Sequence, residues 1–359
     1  MIMDMGKLVR SITQKCRPAA WPIIPALRLH DRLSGGALRT DMETNISLYC
    51  TEQQRRDRAF MRRTRRDMWY SFIVYDCPFQ EYFMFRFPLL SHQGRKEFVT
   101  DFEKKRLCKT LSSKQVRDIF WNKWLTYERF RPYYRRDAML IDGNTTLEQL
   151  SAFAQKHPRF IIKPCEDAGG HGISAYDTRT DGRTLAQLLE QLRGQNMMLE
   201  EPIVQSEALA RPHPQSVNTI RCATFLKDGQ ADILFTFYRT GRGGSVVDNG
   251  AAGGFVATVD VDTGIVDSPG VTETLFSALV HPDTGVPIIG LRVPRWEEMK
   301  AFAKELALVC PELPYNSWDL ALTDDGWVMV EGNAYGQFIG PQYPAWRGIR
   351  AKLAPYFDL

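Results

Sequence analysis

Residues 314–338 read Pro-Tyr-Asn-Ser-Trp-Asp-Leu-Ala-Leu-Thr-Asp-Asp-Gly-Trp-Val-Met-Val-Glu-Gly-Asn-Ala-Tyr-Gly-Gln-Phe. Two apolar runs, 318–322 and 327–330, flank Thr323-Asp324-Asp325-Gly326, where glycine supplies the positive φ of a tight hairpin turn. With Asp324-Asp325-Gly326 as the loop, Asp319 falls directly across from Glu331. Asn333 then follows on the same face, because strand side chains repeat every second residue. Facing carboxylates repel and destabilise a sheet. A hard divalent cation relieves that repulsion, and Mg2+ takes one or two carboxylates together with nucleotide phosphates. The competing reading is an exposed hairpin whose acids face water.

At 359 residues the chain is long enough for two or three domains with substantial cores. Its 44% hydrophobic and 25% charged content is that of a globular protein and excludes a disordered or fibrous chain. The longest apolar run near the start, residues 19–27, contains Pro22 and Pro25 and is too short to span a bilayer. The first residues lack the continuous apolar core and small-residue cleavage site of a signal peptide. Seven cysteines (Cys16, Cys50, Cys77, Cys108, Cys165, Cys222 and Cys310) are scattered and form no Cys-x-x-Cys pair. That predicts reduced thiols in a cytoplasmic protein and argues against a zinc site or disulfide frame.

The net charge of +4 hides an asymmetry: residues 1–136 carry 28 Lys/Arg against 14 Asp/Glu, and residues 137–359 carry 18 against 28. The densest basic stretch is Arg55-Arg56-Asp57-Arg58 followed by Arg62-Arg63-Thr64-Arg65-Arg66. A basic front suits an anionic partner or a peripheral position on the inner face of a membrane. A solvated helix face explains the same pattern, and no specific nucleic acid is predicted.

Residues 1–70 read as helical but irregular, broken by Pro18, Pro22, Pro25 and Gly35-Gly36. The following stretch is dense in aromatics (Trp69, Tyr70, Phe72, Tyr75, Phe79, Tyr82, Phe83, Phe85 and Phe87), which predicts core packing. Helices are predicted over 96–109 and 114–130, the second with Phe120, Trp121 and Trp124 on one side. Beyond residue 159 the pattern becomes short strands at 160–164, 197–200, 218–226, 231–239 and 255–261, with helices at 185–193 and 297–309. Hairpins mixed with helices predict an α+β class, not a doubly wound parallel sheet. The predicted regions are 1–110, basic and mainly helical; 111–199, a small subdomain with a glycine loop; and 200–359, a larger subdomain carrying the acidic hairpin.

Four more features bear on the same chemistry. Lys163 ends an apolar strand, and a lysine there needs an anion. It is followed by Cys165-Glu166-Asp167-Ala168-Gly169-Gly170-His171-Gly172, whose glycines let backbone N–H groups approach phosphate oxygens. This is neither a Walker A loop nor a dinucleotide fingerprint, and an ordinary turn has the same composition. Second, Leu199-Glu200-Glu201-Pro202-Ile203, with Glu207 beyond, places backbone and carboxylates where a strand leaves the core. There apolar neighbours can sandwich a purine and an acid can hold ribose hydroxyls; solvated acids at a strand end are the simpler account. Third, Asn218-Thr219-Ile220-Arg221 opens a strand with Thr219 and Arg221 on one face. An arginine there wants a bidentate carboxylate or phosphate, whether ligand or structural. Fourth, Arg239 and Arg242 lead into a glycine-rich segment containing Asn249, suited to a charged substrate under a mobile loop.

In this order, the pieces resemble the ATP-grasp fold, most closely its sugar-transfer-associated branch, from about Asn122-Lys123 to Asn333-Ala334. The resemblance implies two α+β subdomains gripping ATP. It implies that Lys123 and Lys163 contact the nucleotide and that Gly169, Gly170, His171 and Gly172 belong to the loop over its phosphates. Glu200 would face the adenine amino group, Leu199, Glu201 and Ile203 would line the base, and Glu207 would hold the ribose. Asp319, Glu331 and Asn333 match the family's magnesium ligands. Arg221 resembles the residue beside the γ-phosphate, with Asn218 and Thr219 near it, and Arg239, Arg242 and Asn249 would lie on the acceptor side.

Enzymes of this fold phosphorylate a carboxylate with ATP, and an amine then displaces phosphate. The expected function is therefore an ATP- and Mg2+-dependent carboxylate–amine ligase working on small-molecule or glycan-linked substrates, connected with cell-surface polysaccharide or an amino-acid or peptide conjugate. A phosphotransferase acting on a hydroxyl uses the same cleft. A non-catalytic protein binding through its basic front is the alternative of another class. No Ser-His or Cys-His arrangement suggests a side-chain nucleophile.

Overall fold

The structure is a computed structural model and describes residues 20–166, 172–245, 248, 250 and 253–359. The chain forms two compact units: residues 110–272 with 278–336, and residues 20–109 with 273–277 and 337–359.

The first unit contains two antiparallel sheets. The smaller holds β1 (Ala138–Ile141), β2 (Arg159–Pro164), β3 (Ser174–Asp177) and β4 (Met197–Glu200) in the order β1-β4-β2-β3. Helices Leu147–Lys156 and Leu185–Leu192 cover it, each started by a threonine capping box, Thr146/Gln149 and Thr184/Gln187. Leu150, Ala154, Leu188, Leu189 and Leu192 bury their apolar faces against Phe160, Ile162, Tyr176 and Leu199. Strand alternation then turns Lys163 to the opposite face from Ile162.

The larger sheet follows β5 (Thr219–Lys227), β6 (Gln230–Thr240), β7 (Phe255–Val259), β8 (Gly270–Val271), β9 (Ser277–Ala278), β10 (Tyr315–Thr323) and β11 (Gly326–Ala334). Its order is β11-β10-β5-β6-β7-β8-β9. Met299, Ala303 and Leu306 of helix Trp296–Val309 pack with Ile220, Cys222, Trp318, Leu320, Trp327 and Met329 of the sheet. The other face is left to Thr219, Arg221 and Asp319, the polar half of the alternation.

The decisive hairpin differs in one detail from its sequence reading. Thr323 pairs with Gly326, so the loop is Asp324-Asp325 alone, and Gly326 takes φ 130° as a strand residue. A β-bulge between Asp319 and Leu320 then leaves Val330 without a partner. The extra residue restores the register, and Asp319 faces Glu331 as the sequence predicts. The single helix predicted at 114–130 is two, Lys114–Trp121 and Lys123–Tyr134. Asn122 breaks it because its carboxamide oxygen accepts the N–H groups of Trp124 and Leu125, a side-chain cap that starts a new helix. Of the predicted aromatic face, Phe120 is buried but Trp121 is 63% exposed.

The second unit is helical, chiefly Ala20–Leu33, Ala37–Tyr49, Arg58–Val74 and Asp101–Cys108. Its core is the aromatic stretch: Trp69, Phe79, Tyr82, Phe85 and Phe87 are all at most 2% exposed. Residues 337–359 belong here and not with 200–336, contrary to the predicted 200–359 region. Gln342 explains this, since its carboxamide accepts the Val99 N–H and donates to the Val99 carbonyl, replacing a sheet partner. Arg350 adds a two-pronged contact to Glu103. Among the described residues no helix is long and apolar enough to cross a membrane.

Candidate functional site

The polar face of the larger sheet concentrates charge in one row. Glu331 on β11, Asp319 on β10 and Arg221 on β5 are cross-strand neighbours. Asp319 is 4% exposed and accepts from Arg221 through both oxygens, Nε at 2.6 Å and Nη2 at 2.5 Å, and from Arg239 Nη1 at 2.9 Å. Arg239 also meets Asp248 at 3.1 Å, and the Thr219 hydroxyl donates to that carboxylate at 2.5 Å. A buried charge survives only when paired this completely.

Titration follows from this pairing. Burial alone would raise the Asp319 carboxyl, but Arg221 and Arg239 outweigh it and hold it below the usual carboxylate value. Burial pushes Asp248 up further than Arg239 pulls it down. Glu331 is also raised, by burial and then by the facing Asp319. Arg239 is pushed above the ordinary arginine value because Asp248 and Asp319 overcome the cost of its burial.

Glu331 and Asn333 sit two residues apart on one face of β11, and the buried Asn333 amide nitrogen has no hydrogen-bond partner. That N–H donor cannot ligate a cation; the carboxamide oxygen of Asn333 can, and beside the raised Glu331 carboxyl it offers an oxygen donor to one. Asp319 lies in the same row but is already engaged by two guanidinium groups. Among the described residues no cluster of three His, Cys, Asp or Glu side chains is placed to hold a metal.

The second part of the site is a buried triad. Lys163 Nζ donates to Glu200 Oε1 at 2.7 Å, and Arg136 donates to Glu200 Oε2 from Nε at 3.1 Å and Nη2 at 2.9 Å. Burial depresses the Lys163 ammonium pKa more than Glu200 restores it. Glu200 resists its own burial through Arg136 and Lys163 and stays below the usual value. Its carboxylate, expected at the adenine amino group, is thus occupied by these two cations. Lys123 begins helix Lys123–Tyr134, and its Nζ lies 4.0 Å from Glu331 Oε1.

The other predicted residues are spread around these two groups. Leu199 is fully buried in the small-sheet core and is paired on both sides, with Met139 and with Ile162, so neither its side chain nor its backbone is turned to a ligand. Glu201 accepts the Asp137 N–H at 3.3 Å, Ile203 is half-buried, and Glu207 is exposed. Asn218 is fully buried and anchors the preceding loop, donating to the carbonyls of Leu209 and His213 and accepting from Ser216. Its side chain is turned inward and is not available at the row. Arg242 is half-buried with its guanidinium 5.6 Å from the Phe255 ring centre. Gly172 has φ 70°, and a Cβ there would meet Pro164 at 2.8 Å. Gly169, Gly170, His171 and Asn249 lie outside the described residues.

Arg136 and Asp248 escaped the sequence reading. Arg136 sits in a basic run that reads as surface charge, and Asp248 in a glycine-rich loop; neither carries a local signal of burial.

Comparison with known proteins adds family information. The sequence matches the family described as sugar-transfer associated ATP-grasp over residues 95–355. No curated protein sequence matches the chain. Similar solved structures include the D-cycloserine synthetase DcsG, at 13% identity over 68% of this chain and 73% of that one, with a TM-score of 0.40. The ATP-grasp ligase PsnB, in complex with a precursor variant, Mg and ADP, is 13% identical over 68% of this chain and 61% of its own, TM-score 0.40. The D-alanyl-alanine synthetase A of Vibrio cholerae O1 is 10% identical over 68% and 62%, TM-score 0.40. The chain therefore spans about three fifths of the last two.

Proposed function

The chain belongs to the sugar-transfer-associated ATP-grasp family, whose cofactors are ATP and Mg2+, and from that membership we propose that it joins a carboxylate to an amine. The observation that carries this reading is the Glu331–Asp319–Arg221 row flanked by Arg239. It combines an oxygen-donor set with two guanidinium groups of the geometry that grips carboxylate or phosphate.

In this reading, Lys123 and Lys163 bind the phosphates from the small-sheet side, with Gly169, Gly170, His171 and Gly172 closing over them. Ile203 lines the base through its backbone at the end of the strand that carries Leu199, with Glu201 beside it, Glu200 fixes Lys163, and Glu207 takes the ribose. Glu331 and the Asn333 carboxamide oxygen would hold the cation, joined by Asp319 once it leaves Arg221 and Arg239, and the cation when bound neutralises phosphate charge. Arg221 and Arg239, with Thr219, Arg242 and Asn249 near them, orient the acceptor carboxylate for in-line attack on the γ-phosphate. The acyl phosphate so formed releases phosphate when the amine attacks the carbonyl. Such transfer is driven by positioning and charge neutralisation, and no protein nucleophile is required.

The family's association with sugar transfer supports substrates linked to cell-surface polysaccharide or to amino-acid or peptide conjugates. A cytoplasmic location is part of the proposal, supported by six described cysteines that are all buried free thiols. So is peripheral attachment to an anionic membrane or partner surface through Arg55, Arg56, Arg58, Arg62 and Arg63, all exposed.

The test is incubation with Mg-ATP and pooled carboxylates and amines, with ADP and new masses followed together. We expect ADP only when both substrate classes are present, and a product heavier by their condensation. ADP formed with a single hydroxyl acceptor would replace the ligase by a phosphotransferase. No ADP under any combination would remove the catalytic reading.

A further inference from the structure

We propose that Arg136 is a positioning residue that sets the register of the acidic hairpin and, through the same guanidinium, the placement of Lys163. Its side chain is 4% exposed and lies between helix Lys123–Tyr134 and β1. Beyond its grip on Glu200, Nη1 donates to the Met329 carbonyl at 2.6 Å and the Tyr134 carbonyl at 3.2 Å, and Nη2 lies 3.4 Å from the Val330 carbonyl.

Those two strand carbonyls are at the bulge. Val330 has no partner across the hairpin, so the ladder is interrupted where β11 passes from Met329 to Glu331. A buried carbonyl left without a donor costs stability, and Arg136 supplies one. The bulge matters because strand side chains alternate. Without it, Asp319 would face Val330 and Glu331 would turn to the opposite face. One planar group thus stabilises the irregularity that brings Asp319 and Glu331 together, and fixes the Glu200 carboxylate that holds Lys163. A lysine at 136 places a point charge and cannot span carboxylate and carbonyls at once. The consequence for Mg-ATP rests on the proposed function; the consequence for the register does not.

The test compares Arg136→Lys and Glu200→Gln with the parent protein, after thermal melting has shown each to be folded. Hydrogen exchange is read on peptides covering 326–334 and, as internal reference, 219–240. We expect Arg136→Lys to speed exchange in 326–334 at least about tenfold with the reference unchanged, and to raise the Mg2+ needed for half-maximal ATP binding by about tenfold. A purely structural role would speed both peptides alike, and equal acceleration overturns the assignment, as does no acceleration. Glu200→Gln, which keeps the carbonyl contacts, is expected to leave 326–334 protected. If Arg136→Lys does not fold, that second variant decides: faster hairpin exchange in it means that the carboxylate, not the carbonyl contacts, pins the strand, and the proposal falls. ATP binding without any Mg2+ dependence in the parent would overturn the metal reading while the exchange result still judges the register.

Discussion

At the scale of single residues, the site is an exercise in pairing charges that are expensive to bury. Arg239 stands between Asp319 and Asp248, so Arg239→Met leaves two buried carboxylates short of a partner. We expect a loss of about 3–5 kcal/mol in urea unfolding, and partial recovery when Asp248→Asn is added. Glu331→Gln acts in the other direction. It removes one of two facing acids, so stability should hold within about 1 kcal/mol, while ADP release with both substrates present falls at least about a hundredfold; unchanged turnover would take Glu331 out of the metal site. Lys163, Arg221 and the Asp319–Glu331 pair were legible in the sequence because each sits in an apolar strand where a charge demands an explanation. The identity of the partner was not. Glu200 lies 37 positions from Lys163 and 64 from Arg136, and no local pattern encodes such a meeting. Nor does any local pattern show that Asn218 turns inward, onto the carbonyls of Leu209 and His213 and the Ser216 hydroxyl.

At the scale of elements, strand positions were readable because apolar alternation fixes them. The hairpin register came out right although its loop is one residue shorter than it reads; the bulge at Val330 makes up the difference. Bulges and helix breaks escape a periodic reading, since a single side chain such as Arg136 or Asn122 decides them. Gly332 tests how tightly the hairpin is held from behind. A Cβ there would come within 3.0 Å of Met329 and of the Phe120 ring on helix Lys114–Trp121. Gly332→Ala should therefore cost about 1–3 kcal/mol by overpacking, read as a lower melting temperature. A variant melting with the parent would mean that Phe120 can swing aside.

At the scale of the whole molecule, the helical unit is assembled from stretches far apart in the chain, and the sequence reading split it because nothing in residues 337–359 names Val99 or Glu103 as partners. That unit also holds a titratable weak point. Glu81 is 2% exposed and accepts the Asp101 N–H, yet burial pushes its carboxyl up to about 8 from an ordinary 4.5. The folded state binds the proton more tightly than the unfolded chain, so the stabilisation is complete below about pH 4.5 and lost as pH rises through 8. Unfolding free energy should fall by roughly 2–4 kcal/mol between pH 5 and 9 from this group, and Glu81→Gln should flatten the profile; an identical slope in the variant would assign the pH effect elsewhere. The threading has a consequence in time. On the ribosome, residues 110–336 are all synthesised before Gln342 and Arg350 emerge to meet Val99 and Glu103. The helical unit must wait, incomplete, while the sheet-bearing unit is being made.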